Sequence, residues 1–455
     1  MRHPLTLLEP GTFRSVWPSP LWLCWLGLLF GVLYAGLRLL APDVGDKAGT
    51  LMAVTGLFAV LRWGRHIRGS AALWLLLAVI VVQLVSWVAG YLHHPEWMSD
   101  NPQLDRLAKW FLFVGLAWWL GGSTRATLLL WGLALTGLIF IVFWPEGSLG
   151  VWQRGLQGHR ADFSIRNAQH DAMLFGTGLI GLACFAGRCW RGEGVLVWGR
   201  RLLWSLAFVI CALGVVISQT RAVWLALLVI VFAIPLLAIL VGRSDRFPLR
   251  WVGMGFLATA VLIAIGSMLF HEPVSKRLAA ESRIIEQAME SDWKTLPYSS
   301  IGNRLLTWRA AVDWIAERPL LGWGEEGRSL VIEHTDWLPE YTREHYGHLH
   351  NTFLEILVGY GLLGLAVVLA LIAWIGLGTW HAWRAGIMPG DMALFGAGFF
   401  IFYVIVNQFE AYGSFWTGVY VQNLVAGGLV THIWRWQVET GRRVFPSFGN
   451  KEKRD

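Results

Sequence analysis

The chain has 455 residues, of which 55% are hydrophobic and only 15% are charged, and its formal net charge is +7. This composition, with 29 tryptophans, is typical of a membrane-embedded chain and excludes an ordinary soluble enzyme. Because the basic residues are distributed between apolar segments, the positive charge indicates membrane topology and not nucleic-acid binding.

Long apolar runs follow one another along most of the chain. A helix needs about 20 mostly apolar residues to cross a hydrocarbon core of roughly 30 Å. On that criterion we expect an all-α polytopic membrane protein with about twelve transmembrane helices. The predicted spans cover approximately residues 20–41, 48–63, 71–92, 107–122, 126–144, 171–187, 202–218, 222–241, 249–270, 352–378, 392–412 and 413–434.

The basic residues of the short loops predict the orientation of these spans, because lysine and arginine are retained on the cytoplasmic side. They place both termini in the cytoplasm. The first apolar run has no small-residue cleavage site and precedes further spans, so we expect no cleavable signal. The basic residues that fall on this side are Arg2, Arg14, Arg62, Arg65, Arg68, Arg125, Arg188, Arg191, Arg200, Arg201, Arg243, Arg246, Arg250, Arg384 and those of the tail.

An outward-facing segment of roughly eighty residues separates the ninth and tenth predicted spans, and loops of this length commonly carry function. Helical patterns cover residues 272–290 and 303–318, and Pro319 ends the second. The predicted organisation is a bundle of nine spans at 1–270, a loop domain at 271–349 that caps a cavity, three spans at 350–434 and a basic cytoplasmic tail at 435–455.

The cysteines do not indicate a disulfide or a metal site. Cys24, Cys184, Cys189 and Cys211 lie in or beside predicted spans or on the cytoplasmic side. The sequence contains no CxxC pair, no HExxH, no Asp-x-Asp and no Walker glycine loop. We therefore expect chemistry without a metal, nucleotide or other cofactor.

Basic residues on the outer side need a physical reason. A guanidinium group can bind two phosphate oxygens at once, and a helix N-terminus adds backbone N–H donors for an anion. Alternatively, an arginine beside a span can serve as an interfacial anchor or contact a lipid headgroup. The loop arginines can instead pair with Asp162 or lie on a solvated face. The residues concerned are Arg154, Arg160 and Arg166 in the loop after the fifth span, and Arg221 and Arg304 near predicted helix N-termini.

Two histidines mark the point where the long loop meets the tenth span. His348 and His350 are followed by Asn351, and Glu355 lies one turn into the span. Histidine titrates near neutral pH and is the commonest general base, whereas a carboxyl group within a span is expensive and usually faces the bundle interior. The alternative roles are interfacial polar residues for the histidines and a structural hydrogen bond for Glu355.

Four motifs together resemble the O-antigen ligase and polymerase family, over roughly residues 154–364. They are the run SQTR that ends at Arg221, the helix of Arg304, the run PLLGWG at 319–324, and His350-Asn351 followed after nine residues by Gly361-x-x-Gly364. The resemblance implies a GT-C-like fold and glycan transfer from an undecaprenyl diphosphate carrier without metal or nucleotide. It assigns His350, Arg221 and Arg304 to the family's essential residues.

The resemblance also implies the substrates and the place of the reaction. An O-antigen ligase joins lipid-linked O-antigen to a sugar hydroxyl of the lipid A core, at the periplasmic face of the inner membrane, by direct displacement with inversion. Its partners are the undecaprenyl-diphosphate-linked donor, the acceptor and membrane lipids, without nucleic acid. Further substrate-binding candidates are His348, Asn351, Arg154, Arg160, Arg166 and Glu355, of which His348 or Glu355 is expected to orient His350.

Other functions compete with the ligase. O-antigen polymerases of the family commonly carry two substantial outer loops and protein O-oligosaccharyltransferases are usually longer, whereas this chain has one dominant outer loop and no added C-terminal domain. Twelve spans with both ends inside also fit a secondary transporter or a lipid flippase. The polar residues, however, gather at the outer surface, and no internal repeat is evident.

Overall fold

The structure, a computed structural model, describes residues 17–241 and 298–445, together with isolated positions between them. The predicted ninth span (249–270), the predicted loop helix at 272–290 and the outermost parts of both termini lie outside the described residues, apart from those isolated positions. In the described part every regular element is helical. The protein is therefore a helical membrane protein with several spans, as the composition predicts.

Sixteen α-helices form the described part, and we number them in chain order. They are α1 Leu21–Leu37, α2 Pro42–Trp63, α3 Ala71–His93, α4 Asp105–Ala108, α5 Phe113–Leu120, α6 Thr124–Ile141, α7 Ser148–Leu156, α8 Ala168–Trp190, α9 Val195–Ile217, α10 Arg221–Val241, α11 Ser300–Glu317, α12 Gly327–Glu333, α13 Glu340–His345, α14 Thr352–Arg384, α15 Gly390–Val406 and α16 Trp416–Thr440.

Six of these helices (α2, α3, α6, α8, α9 and α14) are long and apolar enough to cross a membrane. Helices α1, α10 and α15 are apolar but have shorter apolar stretches. The structure thus agrees with many of the predicted spans, while the total of twelve and the GT-C-like fold stay predictions.

The fourth predicted span, 107–122, is not one helix. It is divided into α4, a 3-10 turn at Lys109–Phe111 and α5. The break is stabilised by Asn423 of α16, whose Oδ1 accepts a hydrogen bond from the N–H of Phe113 at 2.7 Å and whose Nδ2 donates to the carbonyl of Lys109 at 2.8 Å. Irregular backbone at membrane depth is tolerated where protein surrounds it, and every residue of α5 is buried.

Helix α16 is the central element of the bundle. All of its residues from Thr417 to Trp434 are buried, and it packs against α5 and α14. Its interior position explains its polar content, because Asn423, Thr431 and His432 find partners in α5, in the turn after α5 and in α6 instead of facing lipid.

The glycine motifs join the loop segment to helix α14. At Gly361 the helix kinks, with φ +60°. The kink leaves two carbonyls of α14 for the run 319–324: the N–H of Trp323 donates to the carbonyl of Val358, and that of Gly324 to the carbonyl of Gly359, both at 2.8 Å. A Cβ at Gly361 would lie 2.3 Å from the backbone of Leu320. Glycine is required there by close backbone contact, and this contact holds α11 against the start of α14.

Candidate functional site

The site is built on the turn that precedes helix α14. Asn351 caps the helix, because its Oδ1 accepts hydrogen bonds from the N–H groups of Phe353 and Leu354. Thr352 is fixed to the segment after α15 by its N–H, which donates to the carbonyl of Asn407 at 2.9 Å. His350, between these anchors, has φ +52°. This left-handed backbone is costly outside glycine and persists only where the surroundings impose it, as at many functional sites.

His350 and His348 share one buried carboxylate. Nδ1 of His350 lies 3.0 Å from Oε2 of Glu410, and Nε2 of His348 lies 3.2 Å from Oε1. The side chain of Glu410 is 2% exposed, against 17% for His350. Burial alone would raise the pKa of the Glu410 carboxyl, but the two histidine hydrogen bonds outweigh it and hold that pKa well below its ordinary value. Glu410 is therefore an ionised acceptor that orients both rings.

Arg304 approaches the same carboxylate from helix α11. Its Nη2 donates to Oε1 of Gln169 at 3.4 Å, and its buried Nε has no hydrogen-bond partner within the described residues. Burial lowers the pKa of Arg304, the negative charge of Glu410 opposes this shift, and the nearby charge of Arg221 adds to it. The guanidinium group is thus held partly desolvated in the field of Glu410 and Arg221, with donor capacity left for an anion.

Arg166 lies over an aromatic ring that also contacts His348. Its guanidinium carbon is 3.6 Å from the centroid of the Phe415 ring, and the same ring packs edge-on against His348 at 5.2 Å. Burial lowers the pKa of Arg166, and Glu410 again opposes the shift. Arg166 and Arg304 are thus both near enough to Glu410 for their charges to interact with it.

The run SQTR positions the loop arginines and begins helix α10. Gln219 has φ +47°, and its Nε2 donates to the carbonyl of Gly158 at 2.8 Å. Nε of Arg160 donates to the carbonyl of Ser218 at 3.1 Å. Arg221, the first residue of α10, is at a helix N-terminus as predicted. The tight turn thus ties the loop before α8 to the start of α10.

Part of the chain is similar to a known protein family. Residues 206–369 match the family model described as O-Antigen ligase. The match covers roughly a third of the chain, and this part of the chain is similar to that family. No curated protein matches the chain. The matched part includes Arg221, Arg304 and His350, whereas Arg166 and Glu410 lie outside it.

Two predicted substrate-binding residues, Glu355 and Arg154, do not contact His350 within the described residues. Oε1 of Glu355 accepts a hydrogen bond from the N–H of Leu349 at 3.2 Å, and Oε2 accepts one from the hydroxyl of Ser414 at 2.5 Å. Glu355 therefore does not orient His350 in the described structure; Glu410 has that position. Arg154 lies on the exposed side of α7 and makes no side-chain contact with the site within the described residues.

Glu410 is the main residue that the sequence reasoning missed. It falls within the predicted span 392–412, but helix α15 ends at Val406 and leaves Glu410 in the turn before α16. One signal was present: an ionisable side chain in an apparent span usually has a partner or a function. Gln169 and Tyr412 were also missed; the Tyr412 hydroxyl donates to the carbonyl of Gln169 at 3.0 Å.

One group of side chains in the described part has the composition of a metal site. The ligand atoms of His348, His350 and Glu410 lie within 4.8 Å of one another, and two imidazoles with a carboxylate suit a zinc-type ion. The sequence prediction that no metal is used therefore needs a direct test. Both carboxylate oxygens already accept histidine hydrogen bonds, and the positive charges of Arg166 and Arg304 disfavour an added cation.

Proposed function

We propose that the protein is an O-antigen ligase, which transfers O-antigen from undecaprenyl diphosphate to a sugar hydroxyl of the lipid A core. In this proposal the site faces the periplasm, both termini are cytoplasmic, and residues 271–349 cap the site. The observation that carries the proposal is the buried Glu410 carboxylate that holds His350 and His348, with Arg166 and Arg304 near enough for their charges to interact with it. The match to the O-antigen ligase family supports it.

His350 acts as the general base. The ionised Glu410 can only accept hydrogen bonds, so Nδ1–H of His350 donates to it and the lone pair of Nε2 is left to accept a proton. As the acceptor hydroxyl attacks the anomeric carbon, its proton passes to Nε2, and Glu410 stabilises the resulting imidazolium. His348 supports the same carboxylate through its second oxygen.

The arginines stabilise the leaving group. When the bond between the anomeric carbon and the diphosphate oxygen breaks, its electron pair stays on undecaprenyl diphosphate. Arg304 and Arg221 are proposed to bind that developing charge, with Arg166 and Arg160 at the rim. Guanidinium groups held partly out of water are effective here, because they require little reorganisation during the reaction. Attack opposite to the leaving group inverts the anomeric centre.

The proposal is tested with the full chain reconstituted in liposomes. The donor is undecaprenyl-diphosphate-linked O-antigen, the acceptor is purified rough lipopolysaccharide, and a metal chelator is present. We expect a core-linked product with wild type and none with His350→Ala. His345→Ala is the matched control, because that histidine is exposed on the short helix α13 and, among the described residues, its ring bonds to the carbonyl of Tyr341 in the same helix.

Each other outcome identifies a different function. Longer carrier-linked glycan in place of core-linked product would indicate a polymerase, and glycan on an added protein acceptor would indicate a protein O-oligosaccharyltransferase. Solute uptake without any change in glycan mass would indicate a transporter. Loss of activity with chelator that returns with zinc would contradict the metal-independent mechanism.

A further inference from the structure

Two cavities adjoin at the end of the bundle opposite to His350, where helix α14 ends and α15 begins. The apolar groove, of about 320 Å³, lies between α6, α8 and α16 and is lined by residues such as Leu128, Gly132, Leu135, Gly178, Phe185 and Leu424. The basic pocket, of about 1000 Å³, is lined by Arg188, Arg191, Arg200, Met388, Gly390 and Asp391 among others. Both volumes are within the usual range of ligand sites, roughly 300–1,000 Å³. Arg188 lines both cavities, so they meet at that residue.

The apolar groove presents mostly carbon atoms to an occupant. Several of the side chains that line it carry an N–H or hydroxyl group, but these groups are already bonded within the protein. Four of them donate to backbone carbonyls, and they belong to Trp131, Thr177, Trp204 and Tyr420. An occupant therefore meets a surface like that of lipid chains, and it gains free energy by burying hydrocarbon there.

The apolar groove is long enough for an acyl chain. Its wall on helix α8 extends from Leu174 to Cys189, which is about 22 Å at a rise of 1.5 Å per residue. The chains of one lipid leaflet fill about half of a hydrocarbon core of roughly 30 Å. The groove is also open at Gly132, because a Cβ there would have no neighbouring atom within 4 Å. An acyl chain lying along α8 would therefore have the space that it needs.

The basic pocket has excess positive charge, with three arginines and one carboxylate in its described lining. Arg188 is bonded to both oxygens of Asp391, and Arg200 donates to carbonyls at the end of α8. Arg191 differs from both, because it is exposed and its guanidinium group forms no hydrogen bond or ion pair within the described residues. Arg191 therefore has the donors for an added anion, while Arg188 and Arg200 are held in structural contacts.

Helix α15 begins in the wall of the same pocket. Its first residue, Gly390, lines the pocket, and Pro389 before it provides no side-chain cap. The N–H groups at a helix N-terminus attract anions. Asp391 lies in this first turn, but its charge is neutralised by Arg188. Arg191 and the start of α15 therefore make the pocket complementary to a phosphate group.

A ligand that fills both cavities needs an anionic head joined to a long hydrocarbon chain. We propose that the apolar groove and the basic pocket together bind one anionic diacyl phospholipid. One acyl chain lies in the groove, the phosphate contacts Arg191 and the N-terminus of α15, and the second chain remains in the surrounding bilayer. A soluble phosphate ester would leave the groove empty. The inference does not depend on the proposed function, because the site is at the other end of the bundle and its occupancy is measured directly.

Native mass spectrometry of the full chain in detergent tests this site. The probe is dioleoyl phosphatidylglycerol, and dioleoyl phosphatidylcholine is the comparison without net charge. Wild type should retain one phosphatidylglycerol at concentrations that leave phosphatidylcholine unbound. Arg191→Gln should weaken phosphatidylglycerol binding about fivefold, the usual contribution of one basic residue to the binding of anionic lipid. Gly132→Leu should weaken it several-fold as well, because the leucine side chain occupies the groove.

Each variant has a matched control. Arg384→Gln removes the same charge at the same end of the bundle, but Arg384 lines neither cavity. Gly376→Leu adds the same side chain to α14, where a Cβ also has no neighbour within 4 Å and which does not line the groove. Both controls should bind phosphatidylglycerol as wild type does. Thermal unfolding identifies any misfolded variant, and Arg191→Met or Gly132→Phe replaces it with the same expected loss of binding.

Several results would overturn the lipid site. Equal retention of phosphatidylglycerol and phosphatidylcholine would show that charge does not select the ligand. Unchanged phosphatidylglycerol binding in Arg191→Gln or in Gly132→Leu, or an equal loss in the matched controls, would show that the lipid is bound elsewhere. Displacement of the lipid by an equal concentration of glycerol phosphate would show that the acyl chain contributes nothing. Preferential retention of undecaprenyl phosphate would assign the two cavities to an isoprenoid carrier instead of a phospholipid.

Discussion

Arginines are concentrated at both ends of the helix bundle, but they are used differently at the two ends. At the junction of α8 and α9, Arg200 donates to the carbonyls of Cys189 and Arg191, and Arg201 donates to those of Trp190 and Gly192. Nearby, Arg188 forms a two-point ion pair with Asp391 at 2.5 and 2.8 Å. Arg200 and Arg201 thus cap the C-terminal end of α8, and Arg188 links α8 to α15. Both roles are structural.

At the other end the arginines surround a carboxylate that is already bonded to two histidines. Arg304 retains a buried Nε without a partner in the described structure, and Arg166 lies over an aromatic ring next to His348. The number of arginines at an end therefore does not locate chemistry. What distinguishes the candidate site is the presence of cations with donor capacity beside an oriented histidine.

The largest expected difference between the two ends comes from removing one guanidinium group at each. Arg304→Ala should lower the rate of glycan transfer by roughly 100-fold to 1,000-fold, the usual effect of losing a donor to a developing anion. Arg200→Ala, at the opposite end, should leave the rate within about twofold of wild type, since effects on exposed contacts are small. Initial rates with saturating donor measure both.

If Arg304→Ala and Arg200→Ala had the same rate of glycan transfer, the arginines at the two ends would not differ in function. Near-normal turnover in a folded Arg304→Ala protein would show that the buried arginine is structural. Elution of each variant as a single species in size-exclusion chromatography provides the folding control.

A second substitution tests whether Glu410 orients His350. Glu410→Gln preserves the size of the side chain but can accept at only one atom and donates at the other. We expect transfer to fall on the order of 10-fold to 100-fold, which is part of the contribution of a general base and less than the loss for Arg304→Ala, because His350 is still present. A change in the pH profile of kcat should accompany the loss. A profile identical to wild type would show that the carboxylate does not act through the histidine.

Sequence reasoning located the parts of the site that local patterns record. Hydropathy is a local property, so α3 and α10 are close to their predicted ranges. It failed at the fourth span, because the break there depends on Asn423, which is 310 positions from Phe113 in the chain. A helix surrounded by protein does not need the apolar surface that lipid demands, so the hydropathy pattern gives little information about its neighbours.

The same limit applies to the residues that are proposed to be catalytic. Motif spacing pointed to His350, Arg221 and Arg304, but the partner of His350 is Glu410, 60 positions further along the chain. That pairing is created when the turn after α15 packs against the turn before α14, through contacts such as that between Thr352 and Asn407. Tertiary packing of this kind leaves no periodic pattern in the sequence.

Stability as a function of pH provides a smaller effect that depends on the same carboxylate. The pKa of Glu410 is lowered in the folded protein from its ordinary value of 4.5, since the histidine bonds outweigh burial. A lowered carboxyl pKa contributes stability above the unfolded value, and this contribution is lost as the pH falls. Wild type should exceed Glu410→Gln by about 1–3 kcal/mol near pH 7, and the difference should shrink below about pH 4.5.

Thermal unfolding of both proteins in detergent between pH 2.5 and 7 measures this difference. A difference that grows as the pH falls would contradict the direction of the pKa shift. A difference that is constant over the range would show that Glu410 stabilises the fold by packing and not through its charge.

Among these substitutions, Arg154→Ala is expected to have the smallest effect on glycan transfer. This small effect would show that the site does not extend to Arg154. Arg154 is in the same loop region as Arg160 and Arg166, but it is exposed on α7 and does not contact the histidines or Glu410 within the described residues. Arg154→Ala should therefore change transfer by less than about twofold, whereas Arg166→Ala should reduce it several-fold, because its guanidinium group lies in the field of Glu410. Donor KM measured at low and high salt distinguishes the two, because a screened, distant charge loses its influence with salt and a partly buried one retains it. If Arg154→Ala reduced transfer as strongly as Arg166→Ala, the donor would have to extend along α7, and the arginines that bind the diphosphate would form a longer track than the described geometry indicates.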